Sequence, residues 1–240
     1  MGLMHLGRRA AQRVGLDVRR YPETDPAYRR VVLLRHTDAD LVLDVGANKG
    51  QTGHQLRNFG YERDIASFEP TTLPFAALQR SAAHDLRWRT YKIACGDRDG
   101  DVTMNLAANS GASSSILPMH DNHIQVAPNA RYVASEPVDL RRLDGLQDHF
   151  FNRAERIFLK ADVQGYERAV VEGAIGLMER IVGLQLEVSL VPLYENGMLY
   201  HEAIELARGF GFELAAFEDS FYHPVSGRLM WGDATFIRPL

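Results

Sequence analysis

The chain has 240 residues, of which 45% are hydrophobic and 24% charged, enough for one sizeable core and too apolar for a disordered or fibrous protein. Its 27 basic and 31 acidic side chains leave a formal net charge of −4, which lacks the basic footprint of a nucleic-acid binder. A lone cysteine, Cys95, excludes an internal disulfide, and no apolar run reaches membrane-span length, so the chain reads as a cytoplasmic enzyme or binding domain.

Residues 1–39 read as a basic helical extension. Leu3, Leu6, Ala10 and Val14 share one helical face, and seven arginines fall within residues 1–30. From residue 40 to 240 strands and helices alternate. Leu41–Val45 is an apolar strand ending in a glycine-rich turn, and 51–59 is helical, stopped by Gly60. Asp64–Phe68 is a second strand, followed by a helix through Phe75, Ala76 and Leu78, and a third strand runs from Trp88 to about Ala94. Asp99-Gly100 predicts a hairpin turn joining 91–95 to 102–106.

The weakly periodic stretch 107–136, with its serines and prolines, reads as a loop over the site. Beyond it, Ile157–Ala161 is a buried strand, and Tyr166, Val170, Ala174, Leu177 and Ile181 line one face of a predicted helix. A strand over 184–190, a helix marked by Ala203, Ile204, Ala207 and Phe210, and strands at 212–217 and 234–237 close the chain. There is no internal repeat and no Gly-, Ser- or Pro-rich linker, so the pattern predicts one doubly wound α/β domain.

Asp44-Val45-Gly46-Ala47-Asn48-Lys49-Gly50 joins a strand to a helix, where open α/β sheets bind ligands. Asn48 replaces the middle glycine of a dinucleotide fingerprint, and the Gly-Lys-Ser/Thr order of a phosphate loop is absent. Glu69 ends the next strand about 20 residues on, where a carboxylate accepts hydrogen bonds from ribose hydroxyls. Asp97, after the third strand, is a candidate partner for an adenine amino group, or simply a turn residue.

Three ordered blocks carry a resemblance: Asp44–Gly50, then Ser67-Phe68-Glu69-Pro70, then Phe158-Leu159-Lys160-Ala161-Asp162-Val163-Gln164-Gly165-Tyr166-Glu167. With Leu143-Asp144, Glu187-Val188-Ser189 and Leu193-Tyr194, the region from about 40 to 238 resembles the FkbM-type methyltransferases, class I enzymes that use S-adenosylmethionine. The resemblance implies a mostly parallel seven-stranded sheet with helices on both faces and an antiparallel last strand. It also implies cofactor contacts from Asp44, Gly46, Asn48, Gly50 and Glu69, and an O-methyltransferase acting on a sugar, glycosylated natural product or polyketide-type alcohol. It leaves residues 1–39 and the detail of 107–136 uncovered.

Methylating a hydroxyl calls for a positioned acceptor and help with its proton. Asp162, at a strand end, is a candidate for that chemistry or for capping the following helix, and Glu187 lies within an apolar strand where a carboxylate needs a partner. Lys160 completes the catalytic set or neutralises these acids. With a histidine, Asp162 and Glu187 are also candidate ligands for Mg²⁺. His120, His123 and Tyr194 are candidate acceptor contacts. Two other readings stay open: a non-catalytic cofactor-binding interaction domain, and a nicotinamide-dependent oxidoreductase. Oligomeric state is open as well.

Overall fold

Five residues in a row, Leu41–Val45, are buried on both faces, which a strand achieves in the middle of a sheet covered on each side. They form β1 in the computed structural model, which describes residues 11–16, 21–146 and 153–239. The strands that follow are β2 (Asp64–Phe68), β3 (Trp88–Tyr91), β4 (Ala94–Cys95), β5 (Gly100–Ala107) and β6 (Tyr132–Arg141). After them come β7 (Ile157–Ala161), β8 (Ile181–Ser189), β9 (Glu213–Tyr222) and β10 (Leu229–Ile237). The helices are α1 (Pro26–His36), α2 (Gln51–Asn58), α3 (Thr72–Ala82), α4 (Asp121–Val126), α5 (Glu167–Glu172) and α6 (Tyr200–Gly209).

Seven strands form one sheet in the order β3-β2-β1-β7-β8-β10-β9, with β10 antiparallel to both its neighbours and the other pairings parallel. This is the seven-stranded, mostly parallel sheet with an antiparallel last strand that the family resemblance implies. Side-chain alternation sends Leu41, Leu43, Leu159 and Leu184 to one face, where α5 and α6 cover them with Val170, Ala203 and Ala207. Val42 and Phe158 point to the other face and meet Val31 and Leu34 of α1 and Leu56 of α2. Toward the strands' carboxyl ends this second face turns polar. Asp44, Lys160 and Gln185 are register partners on β1, β7 and β8, and all three are buried.

A second, three-stranded sheet has the order β4-β6-β5. The predicted hairpin between 91–95 and 102–106 does not form: β5 pairs antiparallel with β6, and β4 pairs in parallel with the other edge of β6. The expected third strand accordingly divides at Lys92-Ile93 between the two sheets. Half of the supposed loop is structured too, since 107–136 contains α4 and the first half of β6. Exposed residues at 133–135 blur the period-two signal there.

The helix expected over 166–180 stops at Glu172. Gly173 packs so closely on Gly96 that a Cβ would lie 1.8 Å from the Gly96 carbonyl oxygen, and the chain continues as a 3₁₀ turn, Ile175–Leu177. Ile181 belongs to β8 rather than to that helix. Of the N-terminal stripe, Leu3, Leu6 and Ala10 lie outside the described residues, and Val14 is exposed. Among the described residues no helix is long and apolar enough to cross a membrane.

Candidate active site

A cavity of about 380 Å³ opens at the carboxyl ends of β1, β2, β7 and β8, a volume within the roughly 300–1,000 Å³ usual for small-molecule pockets. Its floor is the Gly46–Asn48 turn, and Asn109 and the 111–114 segment also line it, so part of the 107–136 stretch does wall the site. The turn is tied to β2: the Gly46 and Ala47 amides both donate to the Phe68 carbonyl at 3.0 Å. Gly46 has φ +78°, and a Cβ there would sit 1.9 Å from the Asp162 carbonyl oxygen. Glycine is therefore required by the meeting of the β1 and β7 ends, in addition to any ligand.

Glu69 is buried in the cavity wall, and its carboxylate organises the turn. Oε2 accepts from the Asn48 amide at 2.9 Å, while Oε1 accepts from the Thr71 amide at 2.9 Å and from the Thr71 hydroxyl. Asn48 adopts φ +47° in making this contact. Burial pushes the Glu69 carboxyl above its usual value, and the Thr71 and Asn48 hydrogen bonds oppose that shift.

Across the cavity, Gln164 gathers the acids. Its Nε2 donates to Asp162 Oδ1 at 3.0 Å and to Glu187 Oε2 at 2.6 Å, and its Oε1 accepts from the Tyr194 hydroxyl at 2.7 Å. Gln164 itself has φ +58°, and its carbonyl accepts from the Ser115 hydroxyl at 2.7 Å. Burial, then the Asp162, Glu167 and Asp233 carboxyls, raise Glu187 well above the ordinary carboxylate range. Glu187 therefore holds its proton more tightly than an exposed glutamate.

Lys160 lies between two carboxylates, 3.3 Å from Asp44 Oδ1 and 3.5 Å from Asp162 Oδ2. Burial alone would lower its pKa, but Asp162, Asp44 and Asp233 hold the ammonium above its usual value. It is thus a fixed cation and no proton acceptor. Asp44, whose side chain is 0% exposed, also accepts from the Ser67 hydroxyl at 3.2 Å.

The sequence candidates divide by location. Gly46, Asn48, Glu69, Lys160, Asp162 and Glu187 line the cavity. Asp44 and Gly50 stand outside the lining: Asp44 braces Lys160 from below, and Gly50 starts α2 at φ +92° against the Trp88 ring. Asp97 is also outside, where Oδ1 accepts from the Tyr166 hydroxyl at 3.1 Å, and it is Tyr166 that reaches the cavity.

The three proposed acceptor contacts are not in the lining either. His120 caps α4, its Nδ1 accepting from the Asn122 amide at 3.2 Å. His123 is buried with its ring edge-on to Tyr194 and tilted against Trp231, and burial lowers its pKa to about 4. Tyr194 reaches the site through Gln164 and, at 3.3 Å, through the carbonyl of Ser113, which lines the cavity. Residues that sequence reasoning passed over are Gln164, quoted only within the third motif block, and Thr71, which accompanies Glu69. A polar residue between Asp162 and Gly165 was the available signal for the first. Among the described residues, no group of three or more His, Cys, Asp or Glu is placed to hold a metal ion, so the suggested Mg²⁺ ligand set is not assembled.

Comparison with known proteins adds three findings. The family model described as "Methyltransferase FkbM domain" matches residues 44–214. The 2-O-methyltransferase NoeI of Sinorhizobium fredii (strain NBRC 101917 / NGR234) is 23% identical over 189 residues, covering 76% of this chain and 77% of that protein. Among solved structures, the 1,6-didemethyltoxoflavin-N1-methyltransferase of Burkholderia thailandensis, bound to 1,6-didemethyltoxoflavin and S-adenosylhomocysteine, gives a TM-score of 0.48 at 12% identity, covering 99% of this chain and 86% of that one. The precorrin-6y C5,15-methyltransferase of Geobacter metallireducens GS-15 gives 0.46 at 12% identity, covering 89% and 87%.

Proposed function

The chain belongs to the FkbM methyltransferase family, and on that premise we propose that it is an S-adenosylmethionine-dependent O-methyltransferase acting on a hydroxyl of a sugar or glycosylated small molecule. The observation that carries this reading is the pairing of Asp162 and Glu187 on one amide in the cavity wall, with Glu69 in the same cavity. β2 and β8 are three strand positions apart in the sheet, roughly 14 Å, which leaves room for a nucleoside at one end and an acceptor at the other.

The residues fit the cofactor. Among the described residues Glu69 Oε2 has a single protein donor, and it keeps a lone pair for a ribose hydroxyl. The Asp162 carboxylate in the cavity wall favours a cationic guest. When bound, S-adenosylmethionine supplies an electrophilic methyl group on a sulfonium whose departure leaves a neutral thioether.

In this reading Asp162 takes the acceptor's hydroxyl proton as the new carbon–oxygen bond forms. Lys160 and Gln164 fix one Asp162 oxygen each, so that the carboxylate stays oriented. Glu187, retaining its proton, donates a hydrogen bond to the incoming acceptor. An oxygen acceptor agrees with the name of the NoeI relative.

The test is incubation with S-adenosylmethionine carrying an isotopically labelled methyl group and a panel of glycosides, amines and simple alcohols, read by mass spectrometry. The expected product is a labelled methyl ether on a glycoside, strongly reduced for Asp162→Asn. Transfer to amines alone would overturn the oxygen specificity.

A further inference from the structure

A second cavity, of about 310 Å³, lies between α1 and the polar end of the sheet. It shares Gln51, Thr52, Lys160 and Asp162 with the wall of the first, so the two chambers meet at the proposed base. Its remaining surface comes from Asp25 and α1 with Arg30, from Gln55 of α2, and from Gln185, Glu218 and Asp233 on the sheet.

Its polar groups are incompletely used. Gln185 is 1% exposed, yet among the described residues neither Oε1 nor Nε2 of its amide has a hydrogen-bond partner. Arg30 is 8% exposed and bonds Gln55 and Glu218 through its two terminal nitrogens, leaving Nε without a partner. A buried amide left unsatisfied destabilises the fold, so such a cluster points to a guest that supplies both donors and acceptors.

The charges narrow the guest further. Four carboxyl groups, Asp25, Asp162, Glu218 and Asp233, face two cations, and both cations are already engaged: Lys160 with Asp44 and Asp162, Arg30 with Glu218. An anionic ligand would find no free counter-charge among the described lining residues. A ring bearing several hydroxyls offers a donor and an acceptor at each position, which matches the Gln185 amide and Arg30 Nε.

We propose that this second chamber is the acceptor subsite, that Gln185 and Arg30 read the hydroxyls of a neutral or amino-bearing sugar there, and that anionic sugars are rejected. The proposal rests on the O-methyltransferase reading above and adds to it the place of the acceptor, its charge class and two specificity-determining residues. A sugar seated there reaches the first cavity beside Asp162.

Saturation-transfer NMR tests it, with and without S-adenosylhomocysteine, using methyl glycosides of glucose, galactose, mannose, fucose and rhamnose, together with glucosamine, glucuronate and glucose 6-phosphate. The wild-type protein is expected to give signal with at least one neutral or amino sugar and none with the two anionic ones. Gln185→Leu, which removes both unsatisfied atoms at similar volume, is expected to lose that signal, while its melting temperature stays level or rises and its calorimetric affinity for S-adenosylhomocysteine is unchanged. Undiminished signal in Gln185→Leu, preference for the anionic sugars, or no signal from any sugar in wild type would each overturn the subsite. Failure of the cofactor reading is a separate outcome, seen as absent S-adenosylhomocysteine binding, and the sugar measurements without it still decide the chamber.

Discussion

The Gln164 amide nitrogen lies 2.6 Å from Glu187 Oε2 and donates to it, joining a carboxyl in the middle of the sheet to the turn after β7. The same nitrogen reaches Asp162, and the Tyr194 hydroxyl fixes which way the amide points. Replacing Gln164 with Leu removes the amide that Asp162 Oδ1, Glu187 Oε2 and the Tyr194 hydroxyl share, leaving Asp162 only Lys160 and the tyrosine only the Ser113 carbonyl among the described contacts. Turnover is expected to fall about 100-fold, equivalent to roughly 2.7 kcal/mol, with S-adenosylhomocysteine affinity within about twofold of wild type. Tyr194→Phe removes the orienting bond and the contact with the Ser113 carbonyl but leaves both carboxyls their amide, and a smaller loss of about five- to tenfold is expected. Equal rates for wild type and Gln164→Leu would remove the amide from the site's workings.

Glu69→Ala tests the other end of the cavity. Losing the carboxylate removes the anchor of the Asn48 amide together with the proposed ribose acceptor. Calorimetry should show S-adenosylhomocysteine binding weakened at least tenfold, about 1.4 kcal/mol, in a variant whose circular dichroism remains native. Unchanged affinity would show that Glu69 is only a brace for the turn.

Gly46→Ala probes the junction of β1 and β7. The left-handed φ and the 1.9 Å approach to the Asp162 carbonyl both oppose a side chain. A loss of at least about 2 kcal/mol in unfolding free energy is expected from the strain. Urea denaturation measures it, and a midpoint equal to wild type would contradict the packing described.

The buried acids give stability a defined pH dependence. Burial and Asp162 raise the Glu167 carboxyl to about 7, against the hydrogen bonds its Oε1 accepts from the Val163 and Gly165 amides. Burial and Asp162 likewise raise Asp233 to about 6, opposed by Lys160. A carboxyl whose folded pKa is raised binds more protons folded than unfolded, so its contribution is full below the unfolded value and is lost as pH rises through the folded one. From these two groups the melting temperature should fall between about pH 5 and pH 7. Glu167→Gln should make that fall shallower by at least about 2 °C. A steeper fall in the variant would reverse the sign assigned to this residue.

How much of this was legible in the sequence depends on how local the cause is. β1, β2 and β7 begin and end where their apolar runs do, because each is buried on both faces and closed by a turn or an acid. β6 escaped notice because much of its length is exposed and its pairing partners lie on either side of it in space. The early end of α5 depends on Gly173 meeting Gly96, a contact no helical periodicity can announce.

The site follows the same rule. Glu69 and the Gly46–Asn48 turn were readable from spacing, and Lys160 and Glu187 from charge in apolar strands. That His123 and Tyr194 stand behind Gln164, and that Asp97 acts on Tyr166, follows from contacts made across long sequence separations. Gln185, hidden in a strand with no charge to mark it, becomes visible only when its two unpartnered atoms are set beside the chamber that the residue lines.

Calorimetric titration of the purified protein decides whether the cavity takes S-adenosylmethionine. S-adenosylmethionine and S-adenosylhomocysteine are each expected to bind at one site with micromolar affinity, and NAD is expected not to bind. Saturable NAD binding, with no heat from either adenosyl compound, would overturn the cofactor assignment.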